Sequence, residues 1–194
     1  TYQSASVLPS LLESFRKQKH PSVELIVIDG GSVDGTLDVL NRYSGLVNLV
    51  ISEPDRGIYD AWNKGVSKSQ GEYIAFIGAD DRIAEGAVSC LLNAIDSVSS
   101  GVHLIAGFNV LTRGGMPVGL IRSSFSPLKI QFKMTVAQLL SAHRAVWLRE
   151  AGGFNAGYRS SGDYELLLRE REKLKVLVIP SILTYMAAGG VSSK

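Results

Sequence analysis

Two adjacent carboxylates, Asp80 and Asp81, closely follow a short apolar run at residues 73–77. A run that is apolar on both faces predicts a buried strand of a covered, mostly parallel sheet, and ligands bind where such strands end. Successive side chains of an extended chain point to opposite sides. One carboxylate could therefore bind a divalent cation while the other accepts a hydrogen bond from a ligand hydroxyl. A solvated turn is the alternative, because Asp is common where strands end.

A third acid, Asp29, ends another apolar run at residues 23–29 and is followed by Gly30 and Gly31. If both runs are strands of one parallel sheet, Asp29 and Asp81 lie on the same edge. A carboxylate there can accept from a nucleobase N–H or a ribose hydroxyl, and glycines let a ligand approach the backbone closely. The pattern predicts a nucleotide-binding crevice.

A predicted helix, residues 58–69, carries three polar side chains at spacings of three and four, Asp60, Asn63 and Lys64. These spacings place the three side chains on one helix face. The face could reach a ligand beside the preceding loop, residues 53–57, or it could simply be solvated.

Composition is typical of one globular α/β domain. The chain has 194 residues, of which 45% are hydrophobic and 20% charged, with a net charge of +2. This charge is too small to indicate nucleic-acid binding. The single cysteine, Cys90, excludes an internal disulfide and favours a reducing, cytoplasmic setting. Basic residues could face an anionic substrate or a lipid surface, and these are Lys129, Lys133, Arg144 and Arg149.

Strand and helix patterns alternate with short connections, which predicts a largely parallel sheet and a single domain spanning residues 1–194. A hairpin signal at Gly114 and Gly115 brings in antiparallel strands. Predicted strands cover residues 23–29, 47–52, 73–77, 103–112, 116–122, 175–179 and 182–186. Predicted helices cover residues 58–69, 84–98, 146–150 and 163–173, besides one at the start and one near residue 34.

Three ordered motifs resemble the family 2 inverting glycosyltransferases of the GT-A fold. They are VIDGGSVDGT at residues 27–36, DRGIYDAWNKG at residues 55–65 and GADD at residues 78–81. Residues 161–169 resemble the family's late acidic motif, and residues 189–192 its closing loop. The resemblance implies an α/β fold with a Rossmann-like mixed, mainly parallel sheet flanked by helices. Residues 1–3 resemble the end of the family's first strand, so the strand itself is expected to be missing.

The resemblance also implies roles for the acids. Asp29 would contact the nucleobase, Asp80 the ribose or donor sugar, and Asp81 a divalent cation, Mn²⁺ or Mg²⁺, that holds the diphosphate. Asp163 would be the general base that deprotonates the acceptor, with Glu165 in reserve. A helix N-cap is the alternative role of Asp163.

Three further residues are predicted to bind the donor, namely Gly31, Asp60 and Lys64. The lone His143 is interpreted as structural rather than as a phosphate or acceptor ligand. The aromatic residues Trp62, Trp147 and Tyr158 are interpreted as core rather than as sugar-stacking groups.

By resemblance, the protein is expected to transfer a sugar from a nucleoside diphosphate donor, with a UDP-sugar preferred, to a saccharide or lipid-linked saccharide in bacterial polysaccharide biosynthesis. Residues 1–100 would bind the nucleotide and residues 101–194 the acceptor. The expected location is cytoplasmic, with contact at the inner face of the membrane as an open alternative.

Two other functions remain open. A non-catalytic nucleotide-sugar-binding module is disfavoured, because four acids repel one another without a cation. A sugar nucleotidyltransferase would need a Gly-rich, basic loop after its first strand, and the sequence does not show one.

Overall fold

The computed structural model describes residues 1–98 and 101–189. The predicted helices and strands occur in the predicted order, and two short strands that were not predicted, at residues 82–83 and 142–144, are added to them. The helices are α1 (Leu8–Arg16), α2 (Thr36–Arg42), α3 (Ile58–Lys68), α4 (Ala87–Ser97), α5 (Ala145–Glu150) and α6 (Gly162–Glu170). The strands are β1 (Ile26–Asp29), β2 (Leu49–Ser52), β3 (Tyr73–Ala75), β4 (Arg82–Ile83), β5 (Leu104–Arg113), β6 (Met116–Arg122), β7 (Ala142–Arg144) and β8 (Val176–Ala187). A short 3₁₀ helix, Lys129–Gln131, lies between β6 and β7. The segment predicted as the closing loop, residues 189–192, extends beyond the described residues.

The strands form two sheets. β1 and β2 pair in parallel, whereas the others form a mixed sheet in the order β3-β7-β5-β8-β4, with β6 added beside β5. Only β5 and β8 are parallel among the described pairs of this second sheet. The sheet is therefore mixed, as predicted, but less parallel than short connections suggested, because β7 inserts between β3 and β5 and runs against both.

Two hydrophobic cores lie on opposite faces of β5. Consecutive side chains of a strand alternate, so Ile105 enters one core while Leu104 and Ala106 enter the other, all of them fully buried. Helices α1, α2 and α4 cover the first face with residues such as Leu12, Leu40 and Leu91. Helices α3, α5 and α6 cover the second with residues such as Val66, Leu148 and Leu166.

The last two predicted strands are one continuous strand, β8. Val178 pairs with Ala106 and Ile182 with Phe108, so β8 advances four positions while β5 advances two. This irregularity absorbs residues 179–181 without ending the strand. Gly107 permits the close approach, because a Cβ there would stand 2.5 Å from Cγ of Leu183.

Candidate functional site

The acid pair lies in the turn after β3 rather than on an extended chain, so its two side chains do not alternate as predicted. Both carboxylates lie beside Gly78 and differ in burial. Asp80 is exposed, whereas Asp81 is only 4% exposed. The backbone N–H of Gly78 donates to Oδ2 of Asp81 at 3.2 Å, and the N–H of Ala187 donates to Oδ1 at 3.0 Å. The end of β8 thus holds Asp81 in place.

The surroundings of Asp81 fit a hard divalent cation. Burial raises its pKa to about 6, and the neighbouring Asp80 charge contributes to the shift. Both carboxylates gather at Gly78, where a Cβ would stand 2.7 Å from Asp81 Oδ2 and 3.0 Å from Asp80 Oδ1. A cation would offset their repulsion, and each Asp81 oxygen keeps a lone pair beyond its N–H bond. Residues 1–98 and 101–189 contain no group of three His, Cys, Asp or Glu side chains that could hold a metal. Substrate phosphates would therefore have to supply further ligands.

Asp29 is completely buried and fully engaged within the chain. Ser52 donates to its Oδ2 at 2.7 Å, and the Ser32 hydroxyl donates to its Oδ1 at 2.5 Å. The N–H groups of Gly31 and Ser32 also donate to Oδ2, at 3.2 and 2.9 Å. Burial alone would raise the pKa of Asp29, but hydrogen bonds from Ser32 and Ser52 outweigh it and hold the pKa below its ordinary value. The side chain shapes the turn that follows β1.

The expectation that Asp29 and Asp81 end strands of one parallel sheet is wrong. The strand that Asp29 ends, β1, pairs with β2 in the smaller sheet, whereas β3, just before Asp81, belongs to the larger one. Strand pairing therefore does not bring the two acids to one sheet edge.

Tyr2 and Asp55 lie beside the turn that follows Asp29, and neither was predicted from the sequence to belong to the site. The backbone of Thr1 pairs with the end of β1, donating to Ile28 O at 2.6 Å and accepting from the Gly30 N–H at 2.9 Å. This pairing brings Tyr2 over the glycine turn. A Cβ on Gly30 would stand 2.7 Å from Oδ2 of Asp55 and 3.3 Å from the Tyr2 ring. Tyr2 is 63% exposed, so its ring remains accessible.

Asp60 and Lys64 share a face of α3, as predicted, and both hold the loop before the helix. Lys64 Nζ donates to Pro54 O at 2.9 Å and lies 3.0 Å from Glu53 Oε1. The Arg56 N–H donates to Asp60 Oδ2 at 3.1 Å. These contacts support a role in shaping the loop, beside the predicted role in donor binding.

Asn63 contacts a different element from its two neighbours on α3. Its Nδ2 donates to Phe154 O at 2.7 Å, and its Oδ1 accepts from the Phe154 N–H at 2.9 Å. The three polar side chains therefore have different partners. Asp60 and Lys64 contact the loop before α3, whereas Asn63 contacts Phe154.

Asp163 lies in the first turn of α6, one residue beyond Gly162, and its carboxylate is half-buried. The alternative role as an N-cap is wrong, because Ser161 occupies that position. The Tyr59 hydroxyl donates to Asp163 Oδ1 at 2.9 Å. The reserve candidate, Glu165, lies 3.4 Å from Arg169 Nε in an ion pair.

An aromatic cluster joins α3 to the segment that precedes the acid pair. Trp62 stacks on Phe76 with ring centroids 4.6 Å apart, and Phe76 lies two residues before Gly78. Tyr59 meets Trp62 edge-on at 5.4 Å. The rings thus join Tyr59, the partner of Asp163, to Phe76, which lies four residues before Asp80.

His143 has the structural surroundings that were predicted for it. The side chain is completely buried, with Nδ1 3.1 Å from Ser141 O and Nε2 3.0 Å from Gln138 Nε2. A carbonyl only accepts, so Nδ1 carries the proton and Nε2 accepts. Burial lowers the pKa of His143 to about 4, which keeps the ring neutral at neutral pH. Trp62 and Trp147 pack in the second core, as predicted. Tyr158 is 45% exposed, so the prediction that it is a core residue is wrong.

Comparisons with known proteins identify the family and the fold. The profile described as "Glycosyl transferase family 2" matches residues 1–151. A PGL/p-HBAD biosynthesis glycosyltransferase of Mycobacterium tuberculosis is 28% identical over 172 residues, which cover 87% of this chain and 66% of the relative. The chain thus spans slightly less than two thirds of that relative's length.

Two solved structures share the fold. The TarS 1-349 fragment of S. aureus in complex with UDP-GlcNAc superposes with a TM-score of 0.76 and 19% identity, covering 100% of this chain and 59% of that one. The mannosyltransferase PcManGT from Pyrobaculum calidifontis, in complex with GDP-Man and Mn²⁺, gives 0.72 and 17%, covering 98% and 55%. The predicted GT-A fold is confirmed. Because the family profile covers more than half of its length, the chain belongs to glycosyl transferase family 2.

Proposed function

We propose that the protein transfers a sugar from a nucleoside diphosphate donor to an acceptor hydroxyl, with inversion, in bacterial glycan or polysaccharide biosynthesis. The observation that carries the proposal is the aromatic cluster that joins Asp163, through its hydrogen bond with Tyr59, to Phe76, four residues before the acid pair. Such a displacement requires a cation-binding carboxylate and a base that are both held in defined positions.

The donor would bind along residues 1–100. Asp29 and Gly31 shape the turn after β1, Asp55 closes over it, and the exposed Tyr2 ring offers a stacking surface for the base. Asp60 and Lys64 hold the neighbouring loop. A UDP-sugar is the proposed donor, because a protein of the same fold is seen with UDP-GlcNAc.

A divalent cation, Mn²⁺ or Mg²⁺, would be held by Asp81, with Asp80 directed at the ribose or donor sugar. When bound, the cation offsets the charge that develops on the departing diphosphate. Asp81 is oriented for this by its two backbone N–H partners, from Gly78 and Ala187. One or two carboxylates completed by substrate phosphates is a common arrangement for Mg²⁺.

Asp163 would accept the proton of the attacking acceptor hydroxyl. Inversion requires attack from the side of the sugar opposite the leaving group, so the base and the cation must lie on different sides of the donor. Residues 101–194 would supply the acceptor side, where a saccharide or lipid-linked saccharide is the proposed substrate.

The function is tested by adding a panel of sugar nucleotides with Mn²⁺ and measuring melting temperature and donor turnover. A donor at about 100 times its dissociation constant should stabilise the protein by about 2.7 kcal/mol. We expect a UDP-sugar to raise the melting temperature and to be consumed in the presence of an acceptor. A chain that is stabilised by no nucleotide, with or without Mn²⁺, contradicts the proposed function. Stabilisation without any turnover indicates a binding module instead.

We also propose that the segment between β6 and β7 contacts the inner face of an anionic membrane. Leu128 and Phe132 are 72% and 86% exposed, although Ile130 between them is completely buried. The flanking Lys129 and Lys133 are exposed. Ile130 thus anchors the segment, while its neighbours expose apolar and basic side chains. Such a surface fits the boundary between lipid headgroups and acyl chains.

Charge along the chain supports an anionic partner. No Asp or Glu occurs between Asp96 and Glu150. Arg149 is committed elsewhere, because its guanidinium donates to Val66 O at 3.2 Å and Ser69 O at 2.8 Å. Among the described residues no helix has the length and apolarity to cross a membrane.

Sedimentation with phosphatidylglycerol vesicles tests this contact, with phosphatidylcholine vesicles for comparison. We expect the protein to sediment with the anionic vesicles, and Leu128→Ser with Phe132→Ser to abolish most of the binding. Val33→Ser, which also removes a highly exposed apolar side chain, 88% exposed, serves as the matched control and should bind normally. A wild-type chain that stays in the supernatant rules the contact out.

A further inference from the structure

Tyr59 is a buried phenol whose hydroxyl reaches an acid 104 residues away in the chain. It lies in the first turn of α3, is only 5% exposed, and donates to Asp163 Oδ1 at 2.9 Å. Within residues 1–98 and 101–189, no hydrogen bond to Asp163 Oδ2 is present. Tyr59 thus binds Oδ1 of Asp163 and leaves Oδ2 available to accept a proton.

The Tyr59 ring is held from three sides. Phe154 stacks on it with centroids 5.8 Å apart, and Trp62 meets it edge-on at 5.4 Å. Gly162 closes the third side, because a Cβ there would stand 2.8 Å from two ring carbons. Phe154 is itself fixed by its two backbone hydrogen bonds to Asn63. The phenol cannot turn away without displacing the start of α6.

The hydroxyl is a donor throughout the physiological range. Burial, followed by the charge of Asp163, raises the pKa of Tyr59 to about 12, so the phenol stays protonated. A donor to a carboxylate forms a charge-assisted hydrogen bond, which is stronger than a neutral one. Because this hydrogen bond holds Oδ1 of Asp163, it restricts rotation of the carboxylate about the Cβ–Cγ bond.

We propose that Tyr59 is a positioning residue that orients Asp163 so that Oδ2 faces the acceptor hydroxyl. This inference rests on the proposed function, in which Asp163 is the base. Gly162 contributes to this positioning, because the Tyr59 ring occupies the space that a side chain at residue 162 would fill. In this role Tyr59 acts through Asp163 and does not itself touch the substrate.

The test measures kcat and the donor KM for Tyr59→Phe in the wild-type chain and in the Asp163→Asn background. We expect kcat to fall about 10- to 100-fold, the usual effect of removing a hydrogen bond to a charged group. The donor KM should not change. In the Asp163→Asn background the second substitution should cause no further fall, because Tyr59 acts only through the carboxylate.

Tyr43→Phe is the matched control. Its hydroxyl donates to Glu13 Oε1 at 2.7 Å, outside the proposed site, so the variant loses a similar contact and should keep wild-type kcat. Gly162→Ala perturbs the same pair from the other side, and we expect it also to lower kcat at constant donor KM. Gly162→Ala therefore provides a second test of the role of Tyr59 if Tyr59→Phe is poorly folded.

The possible outcomes distinguish the proposed role of Tyr59 from the proposed role of Asp163 as the base. If Asp163→Asn loses activity while Tyr59→Phe does not, the role of Tyr59 is overturned and the base assignment stands. Equal losses from Tyr59→Phe in both backgrounds show a general structural effect and also overturn it. A wild-type chain without transfer activity overturns both the proposed function and this inference.

Discussion

Replacing Asp163 by asparagine is expected to lower turnover by about 100- to 10,000-fold, the contribution typical of general-base catalysis. An amide cannot accept the acceptor proton, yet it keeps the shape of the carboxylate and can still accept from the Tyr59 hydroxyl. Nucleotide binding should therefore remain close to that of the unaltered chain. The measurements are kcat for transfer and the calorimetric dissociation constant for UDP in the presence of Mn²⁺.

Two further substitutions make the result specific. Asp96→Asn removes an exposed carboxylate from α4 and should leave turnover unchanged. Glu165→Gln tests the reserve candidate, whose ion pair with Arg169 argues for a structural role. A large loss in Glu165→Gln together with wild-type turnover in Asp163→Asn would transfer the role of base to Glu165.

Asp81→Asn is expected to remove the Mn²⁺ dependence of UDP binding and to lower turnover about 100- to 1,000-fold, as loss of several kcal/mol of charge stabilisation implies. The substitution removes the negative charge that would hold the cation. It also turns an amide N–H₂ toward Gly78 or Ala187, both of which donate N–H groups, at a cost of about 1–3 kcal/mol in stability. UDP titrations with and without Mn²⁺, well below the melting temperature, measure the effect.

Asp34→Asn is the matched control for the lost backbone contacts. Asp34 accepts from the N–H groups of Ala5 at 3.0 Å and Thr36 at 3.1 Å, so the variant should lose stability without losing the Mn²⁺ effect. If Asp80→Asn rather than Asp81→Asn abolishes the Mn²⁺ dependence, the exposed acid is the metal ligand. UDP binding by the wild type that is equal with and without Mn²⁺ argues against a metal-dependent donor site.

Local sequence patterns predicted the elements well. Apolar runs and helical spacings located α3, β5, β6 and the strand before the acid pair, with ends that differ by a few residues. These features depend on residues that are close in the chain.

Pairing between distant segments was not predictable in the same way. No pattern within residues 73–77 indicates that β7 will insert beside β3, and the prediction of a mainly parallel sheet failed there. Pro180 and Ser181 appeared to divide two strands, whereas a register shift opposite Gly107 lets one strand continue. Local propensity is a weak guide where packing against a distant partner decides the conformation.

The sequence by itself determined the order of elements, the acid-bearing motifs and the family that they resemble, since these depend on residue type and short spacing. Only the tertiary structure decided which groups meet. Tyr59 reaches Asp163 across 104 positions, and Ala187 reaches Asp81 across 106. Such contacts arise from the packing of α3 against α6 and from the length of β8, and no local periodicity encodes them.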